Sequence, residues 1–184
     1  MSTKEQILKK ALEIFAKKGY ENTNLEEIAK EVGITKPAIY YHFKNKKELY
    51  NYIFKEKFKN LNFTSQQTLE ENLKHYIYTL GEFFIKNPNI AKLFSKEISN
   101  EAVHLNDDTL KEISKTIKFL SSSLKDTNLN PLFIQTLIIS SFTTYTNTLN
   151  LRNRIKEITK EEFKEFNVID EVYETIITYI KAKI

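Results

Sequence analysis

The chain has 184 residues, 41% of them apolar, enough to bury a substantial core in one large domain or in a small and a medium one. Only three glycines and three prolines occur, too few for the turns of a sandwich, a barrel or a glycine-rich nucleotide fold, so long helices are expected. Cysteine is absent, which excludes a disulfide framework and cysteine-based zinc or redox sites. The charge is uneven: residues 1–60 hold 13 Lys and eight Glu, a net of +5, against −1 over the rest. A positive excess confined to the N-terminal third suits a phosphate-facing module joined to a body indifferent to polyanions, and a solvated lysine-rich surface has the same composition. The first 25 residues carry charges throughout, unlike a signal peptide, and no later apolar stretch reaches the length of a membrane span. A cytoplasmic protein with no membrane partner is expected.

Along the chain, Ile7, Leu8, Ala11, Leu12 and Phe15 recur at helical steps and predict a first helix that ends at Lys17-Lys18-Gly19. Asn24 can cap a second helix with Leu25, Ile28, Ala29 and Val32 on its buried face, and Gly33 ends it. Thr35 can cap a short third helix, with Pro37 in its first turn and Ile39 and Phe43 facing inward. A fourth starts near Asn45 and runs through Leu49, Ile53, Phe54, Phe58 and Leu61. Further helices are predicted over about 66–87, 89–102, 107–125, 131–153 and 160–183, with Asn87-Pro88 and Asn130-Pro131 marking two of the breaks.

The informative unit is Leu25 to Phe43. Ala29 lets two helices cross closely, Gly33 permits a sharp turn, and Ile34 can plug the angle between them, which is helix-turn-helix geometry. With Ile39 and Phe43 inward, a helical wheel puts Pro37 and Tyr41 opposite, Ala38 beside them, and Lys36, Tyr40 and His42 on the flanks. A helix laid in the major groove needs side chains that reach bases and phosphates, and these residues supply them. Thr35 can offer its hydroxyl and backbone N–H groups to a phosphate, while Lys36 and Lys46 add charge at either end.

The run Ile7-Leu8, Ala11, Phe15, Gly19-Tyr20, Thr23, Ile28-Ala29, Gly33, Tyr40, His42-Phe43, Lys46 and Leu49 resembles the N-terminal signature of the TetR family of bacterial repressors over about residues 5–50. The resemblance implies an all-α fold of about nine helices. A three-helix helix-turn-helix DNA-binding domain would occupy 1–46, and a helical ligand-binding and dimerisation domain 47–184. It also implies a homodimer on double-stranded DNA with a palindromic operator, released by a small-molecule effector that shifts the fourth helix, and no cofactor. Carried over by position, Thr23, Thr35, Lys36, Ala38, Tyr40, Tyr41, His42 and Lys46 match positions that commonly touch DNA; Pro37, also on the exposed face, replaces the family's frequent glycine.

Behind the head, the helices over 131–153 and 160–183 are apolar on nearly every side, and a partner chain is the economical cover for a second apolar face. Phe133, Leu137, Ser141, Val172, Tyr173, Ile176 and Ile180 are the candidate dimer residues, against the alternative of a central helix in a monomeric bundle. Among the aromatics of the middle third, more often core than pocket, Phe58, Tyr76, Phe94, Ile98, Ile117 and Tyr145 are candidates for lining a cavity for an apolar or planar ligand. A di-iron bundle uses two Glu-x-x-His motifs plus two further Glu, only one such pair, Glu101 and His104, is present, and no phosphate loop or serine elbow occurs, so neither an enzyme nor a metal site is expected. Two rival readings remain at this point: a regulator controlled by a partner protein or metal, and a helical interaction module whose head binds no DNA.

Overall fold

Helix starts are written into the sequence as side-chain acceptors for the N–H groups that a first turn leaves unpaired. In the computed structural model, which covers residues 1–184, Ser2 and Glu5 form a reciprocal capping box at α1 (Thr3–Lys18), and Asn24 accepts from the Glu27 N–H ahead of α2 (Leu25–Val32). The short α3 (Lys36–His42) follows Thr35, and Asn45 caps α4 (Lys46–Lys59) through the Glu48 N–H. A second capping box, Thr68 with Glu71, opens α5 (Leu69–Lys86), which is followed by α6 (Pro88–Ser99), α7 (Asp107–Ile113) and α8 (Lys115–Ser123). Asn130 caps α9 (Pro131–Asn147), α10 (Leu149–Thr159) follows it, and Asn167 caps α11 (Val168–Lys181). The fold is all-α, and no helix is long and apolar enough to cross a membrane.

Two of the expected helices are each broken once, at Ser114 and at Thr148, so nine helical runs become eleven helices. The second break follows Thr143-Thr144-Tyr145-Thr146-Asn147, a run of weak helix formers, and there the Thr148 hydroxyl donates to the Thr144 carbonyl at 2.6 Å. The last helix starts later than its expected residue 160. Lys160 adopts a left-handed conformation with φ 55° that ends α10, and regular structure resumes only at the Asn167 cap.

The helices pack as two compact units, Met1–Asn60 with Lys92–Ile113, and Leu61–Ala91 with Ser114–Ile184. This packing division differs from a cut after residue 46: all of α4 and residues 92–113 belong with the three N-terminal helices. In the first unit α1 packs on α2 and α4, α2 on α3, and α4 on α7, around Ile7, Phe15, Ile28, Ile39, Phe43 and Phe54. In the second, α5 packs on α9 and α11 around Leu73, Ile77, Ile138, Phe142, Ile177 and Ile180.

Gly81 is what lets α5 approach its two neighbours. A Cβ there would lie 2.8 Å from Ile169 Cγ1 and 2.9 Å from Phe142 Cζ, inside van der Waals contact on both sides. Gly81→Leu is expected to destabilise the protein by about 2–3 kcal/mol, because overpacking outweighs the gain in helix propensity of about 1 kcal/mol. Urea unfolding followed by circular dichroism checks this; a midpoint at or above that of the wild type would mean the interface has room to relax.

Candidate nucleic-acid interface

The turn between α2 and α3 forms as its residue types require. Gly33 is left-handed (φ 78°, ψ 30°), the Ile34 N–H donates to the Ala29 carbonyl at 3.0 Å, and the Gly33 N–H donates to Lys30 at 3.1 Å, which closes the end of α2. Beyond it α3 has seven residues, and Ile39 and the Phe43 that ends the helix are fully buried. Everything else on the helix is pushed outward. Tyr41 is 87% exposed, Tyr40, Lys36, Pro37 and Thr35 are also exposed, and Ala38 and His42 lie at the rim. The Tyr41 ring stands edge-on to His42, centroids 5.0 Å apart. Thr35 sits at the N-cap without a side-chain capping bond, which leaves its hydroxyl directed to the surface chemistry rather than to the helix. Seven of the nine residues expected at the interface, 35–38 and 40–42, therefore share one outward surface.

The other two do different work. Thr23 is 1% exposed and its hydroxyl donates to the Gly19 carbonyl at 2.7 Å, so its side chain is not presented to a partner. The Lys46 ammonium donates to the carbonyls of Tyr20 (2.9 Å) and Thr23 (3.0 Å) and lies 4.3 Å over the Tyr20 ring. Both residues hold the turn between α1 and α2, and the free cations at the start of α4 are the exposed Lys44 and Lys47 instead.

The body candidates divide likewise. Phe58 and Phe94 pack against each other in the first unit, centroids 5.3 Å apart, while Ile98 is 56% exposed. In the second unit Tyr76 is buried in a stack with Phe63 and Phe119, Ile117 is half-buried, and Tyr145 borders a groove of about 480 Å³ between α9 and α11. Of the dimer candidates, Phe133, Leu137 and Ser141 are exposed on α9 and Val172 is half-exposed on α11. Tyr173, Ile176 and Ile180 are buried where α11 packs on α5 and α9, and Ile176 also borders the groove between α9 and α11.

A polar cluster that sequence spacing does not reveal lies in the first unit. After Ser99 the chain reverses through two left-handed residues, Glu101 (φ 53°) and Ala102 (φ 57°), a conformation costing about 1–3 kcal/mol per residue that the surroundings must hold. The reversal carries His104 back over α6. There His104 Nδ1 is 2.9 Å from Glu97 Oε1 and Nε2 is 2.9 Å from Glu21 Oε1, so the histidine's partners are these two and not Glu101. The Tyr50 hydroxyl donates to the same Glu97 oxygen at 2.6 Å. Burial first, and then the hydrogen bond to Glu97, push the Tyr50 hydroxyl far above its ordinary range, so it remains a donor. Tyr50 and Glu97 are 47 residues apart, and only the fold could have joined them.

Lys46 offers a test of the turn it holds. Replacing it with Met leaves the stem and removes the ammonium, and is expected to cost about 2 kcal/mol in urea unfolding, since hydrogen bonds from charged donors contribute about 1.5–3 kcal/mol. An unchanged midpoint would mean that the carbonyls are satisfied as well by water.

Residues 7–53 match the tetR family of bacterial regulatory proteins. Across 97% of its length, and 99% of the relative's, the chain is 30% identical to the biofilm operon icaADBC HTH-type negative transcriptional regulator IcaR of Staphylococcus aureus (strain Newman). To the regulator of the same name in Staphylococcus epidermidis it is 45% identical over 47 residues, 26% of this chain and 25% of that one. Its fold is similar to that of the transcriptional regulator FadR from Bacillus subtilis, solved in complex with stearoyl-CoA, with a TM-score of 0.63 and 19% identity over 94% of this chain and 96% of that one. It is similar too to AibR in complex with isovaleryl coenzyme A and operator DNA, with a TM-score of 0.68 and 16% identity over 97% of each chain. At those identities the structural likeness is one of fold, whereas the full-length relative carries the assignment. The chain belongs to the TetR family of bacterial transcriptional regulators, which act by binding DNA and not by catalysis.

Proposed function

We propose that the protein is a cytoplasmic, homodimeric negative regulator that reads a palindromic operator with α3 and releases it when a small, largely apolar ligand occupies its C-terminal domain. One observation carries the DNA reading. An 87% exposed Tyr41, flanked by Tyr40, His42, Lys36 and Thr35, leaves aromatic and hydrogen-bonding groups on the face that packing does not need. On this reading residues 1–46 bind DNA and residues 47–184 bind ligand and partner. Lys36 and the Thr35 hydroxyl meet phosphate, and Tyr40, Tyr41 and His42 reach base edges, with Pro37 and Ala38 setting how near the backbone comes. Thr23 and Lys46 serve as positioning residues.

The negative sign is supported by the IcaR relative, named as a negative regulator. The ligand class is supported by fold neighbours that hold stearoyl-CoA and isovaleryl-CoA, since an acyl chain is apolar chemistry that this architecture encloses elsewhere. In this chain the stacked Tyr76, Phe63 and Phe119, with Ile117 and Tyr145 in the same unit, supply the apolar and aromatic surface for it. A ligand that prefers the state unable to bind DNA must weaken operator affinity by the same factor that DNA weakens its own. The dimer is supported by exposed Phe133, Leu137 and Ser141 on α9 beside Val172 of α11, and would place two α3 helices about 34–36 Å apart, one turn of DNA.

Gel shifts with the DNA upstream of the chain's own gene should give a specific, salt-sensitive complex. Tyr41→Ala is expected to weaken it at least about tenfold, the loss of one base contact worth about 1–3 kcal/mol, and Lys36→Ala should lower the slope of log K against log salt by about one. Indifference to Tyr41→Ala would remove α3 as the reader. Sedimentation at micromolar concentration should give a dimer that Leu137→Glu converts to monomer, and a monomeric wild type would end the two-fold reading.

A further inference from the structure

We propose that His104 is a proton-dependent tie between the α1–α2 turn and the segment that follows α6, and that operator affinity falls as His104 loses its proton. The second half of the proposal rests on the DNA-reading assignment above; the first does not.

Carboxylate oxygens only accept, and both His104 ring nitrogens face one, Nδ1 at 2.9 Å from Glu97 and Nε2 at 2.9 Å from Glu21. Only an imidazolium, with N–H on both nitrogens, can satisfy the pair. A neutral ring has one N–H, so it must abandon one carboxylate and turn a lone pair toward it.

Which bond breaks is set by burial. Glu97 is 2% exposed, its Oε1 is also held by the Tyr50 hydroxyl, and its Oε2 is buried with no hydrogen-bond partner, so it has nowhere to move. The Glu21 side chain is 76% exposed and water can replace its partner. The histidine backbone cannot follow Glu21, because Asn51 Nδ2 donates to the His104 carbonyl at 2.9 Å and Asn51 Oδ1 accepts from the Asn106 N–H at 2.8 Å. Deprotonation therefore removes the side-chain tie on the α1–α2 turn and leaves the Lys46 contacts to hold the segment that leads into α2 and α3.

The surroundings of the ring contain charges of both signs. Tyr20 stacks against it at 4.2 Å and Tyr50 stands at 6.1 Å; the Lys46 ammonium is on the Tyr20 ring, and Lys18 and Lys96 border the same cleft of about 420 Å³. Burial works against the charged ring, but its hydrogen bonds to Glu21 and Glu97 and their charges outweigh it and hold the His104 pKa above the ordinary histidine value. The sign follows from linkage. The tie is fully present below the ordinary value of about 6.5 and is lost as pH rises through the raised one, so the sensitive window lies on the alkaline side of 6.5.

The test uses the full chain at constant ionic strength between about pH 6 and 9. Dissociation constants for the upstream DNA should rise with pH through one transition, by up to about tenfold per pH unit, the slope of a single linked proton. His104→Gln, with a single amide donor group, should flatten that transition. The exposed Glu21→Gln keeps the core intact and should move the midpoint to lower pH. In parallel, ring-proton NMR of the DNA-free protein should show one of the three histidines titrating above the ordinary value, falling in Glu21→Gln and missing in His104→Gln. A His104 ring titrating at or below the ordinary value, or His104→Gln keeping the wild-type slope, would overturn the proposal. A high-titrating ring with no specific DNA complex at any pH would instead overturn the reading of α3.

Discussion

The reading surface depends on the burial of two side chains by a helix that could not persist alone. Seven residues fall well short of the roughly 12–15 that an isolated helix needs in water, so α3 exists because Ile39 and Phe43 are taken into the core of the first unit. Phe43 also ends the helix, turning to extended backbone at φ −142° while its ring meets Tyr52 edge-on at 5.5 Å. Two inward residues on so short a helix leave no second side to hide. Tyr40, Tyr41 and Pro37 are exposed as a direct result, and an exposed aromatic surface is stable in a monomer only when its polar tips stay wet, as tyrosine hydroxyls do. The residue types on α3 thus satisfy folding on one side and leave the other exposed for the proposed recognition.

That helix stands on α2, and α2 stands on the turn that precedes it. Two basic groups hold the turn from different elements: Lys46, from the first residue of α4, through the carbonyls of Tyr20 and Thr23, and His104, through the side chain of Glu21. The first contact is with backbone and specifies the shape of the turn. The second is with an exposed side chain and governs only whether the turn is tethered. Because residues 92–113 share a core with the head, a change in that segment reaches α2 through packed and hydrogen-bonded groups, with no long loop between.

Local signals made much of this legible from the sequence, and long-range ones hid the rest. Gly19 and Gly33 end helices because the backbone beyond needs left-handed or open geometry, and Asn24 and Asn45 begin them because their side chains meet N–H groups three residues on; both effects span one turn. The face of α3 followed from two apolar residues. Thr23 and Lys46 bond to main-chain carbonyls up to 26 residues away, partners that leave no trace in residue type. The residue types of Tyr173, Ile176 and Ile180 on α11 do not declare whether an apolar position meets its own unit or a partner, and they are buried where α11 packs on α5 and α9. Glu21 and His104 are 83 residues apart, beyond any pattern.

The outer side of α9 carries a constraint of its own. Between exposed Leu132, Phe133 and Leu137 stand Thr136, Ser140, Ser141 and Thr144, so large apolar anchors alternate with small hydroxyl side chains. Two of those hydroxyls, on Thr136 and Ser141, donate to carbonyls one turn back and so need no partner outside, as does that of Thr148 at the end of the helix. A surface of that kind is too apolar to be only solvated and too small in volume to need a thick layer of side chains above it. It suits the close approach of another helix, with the leucines and Phe133 as knobs and the serines as the holes that admit them. The inner side of α9 is packed by isoleucines, and its outer side mixes large apolar with small hydroxyl side chains.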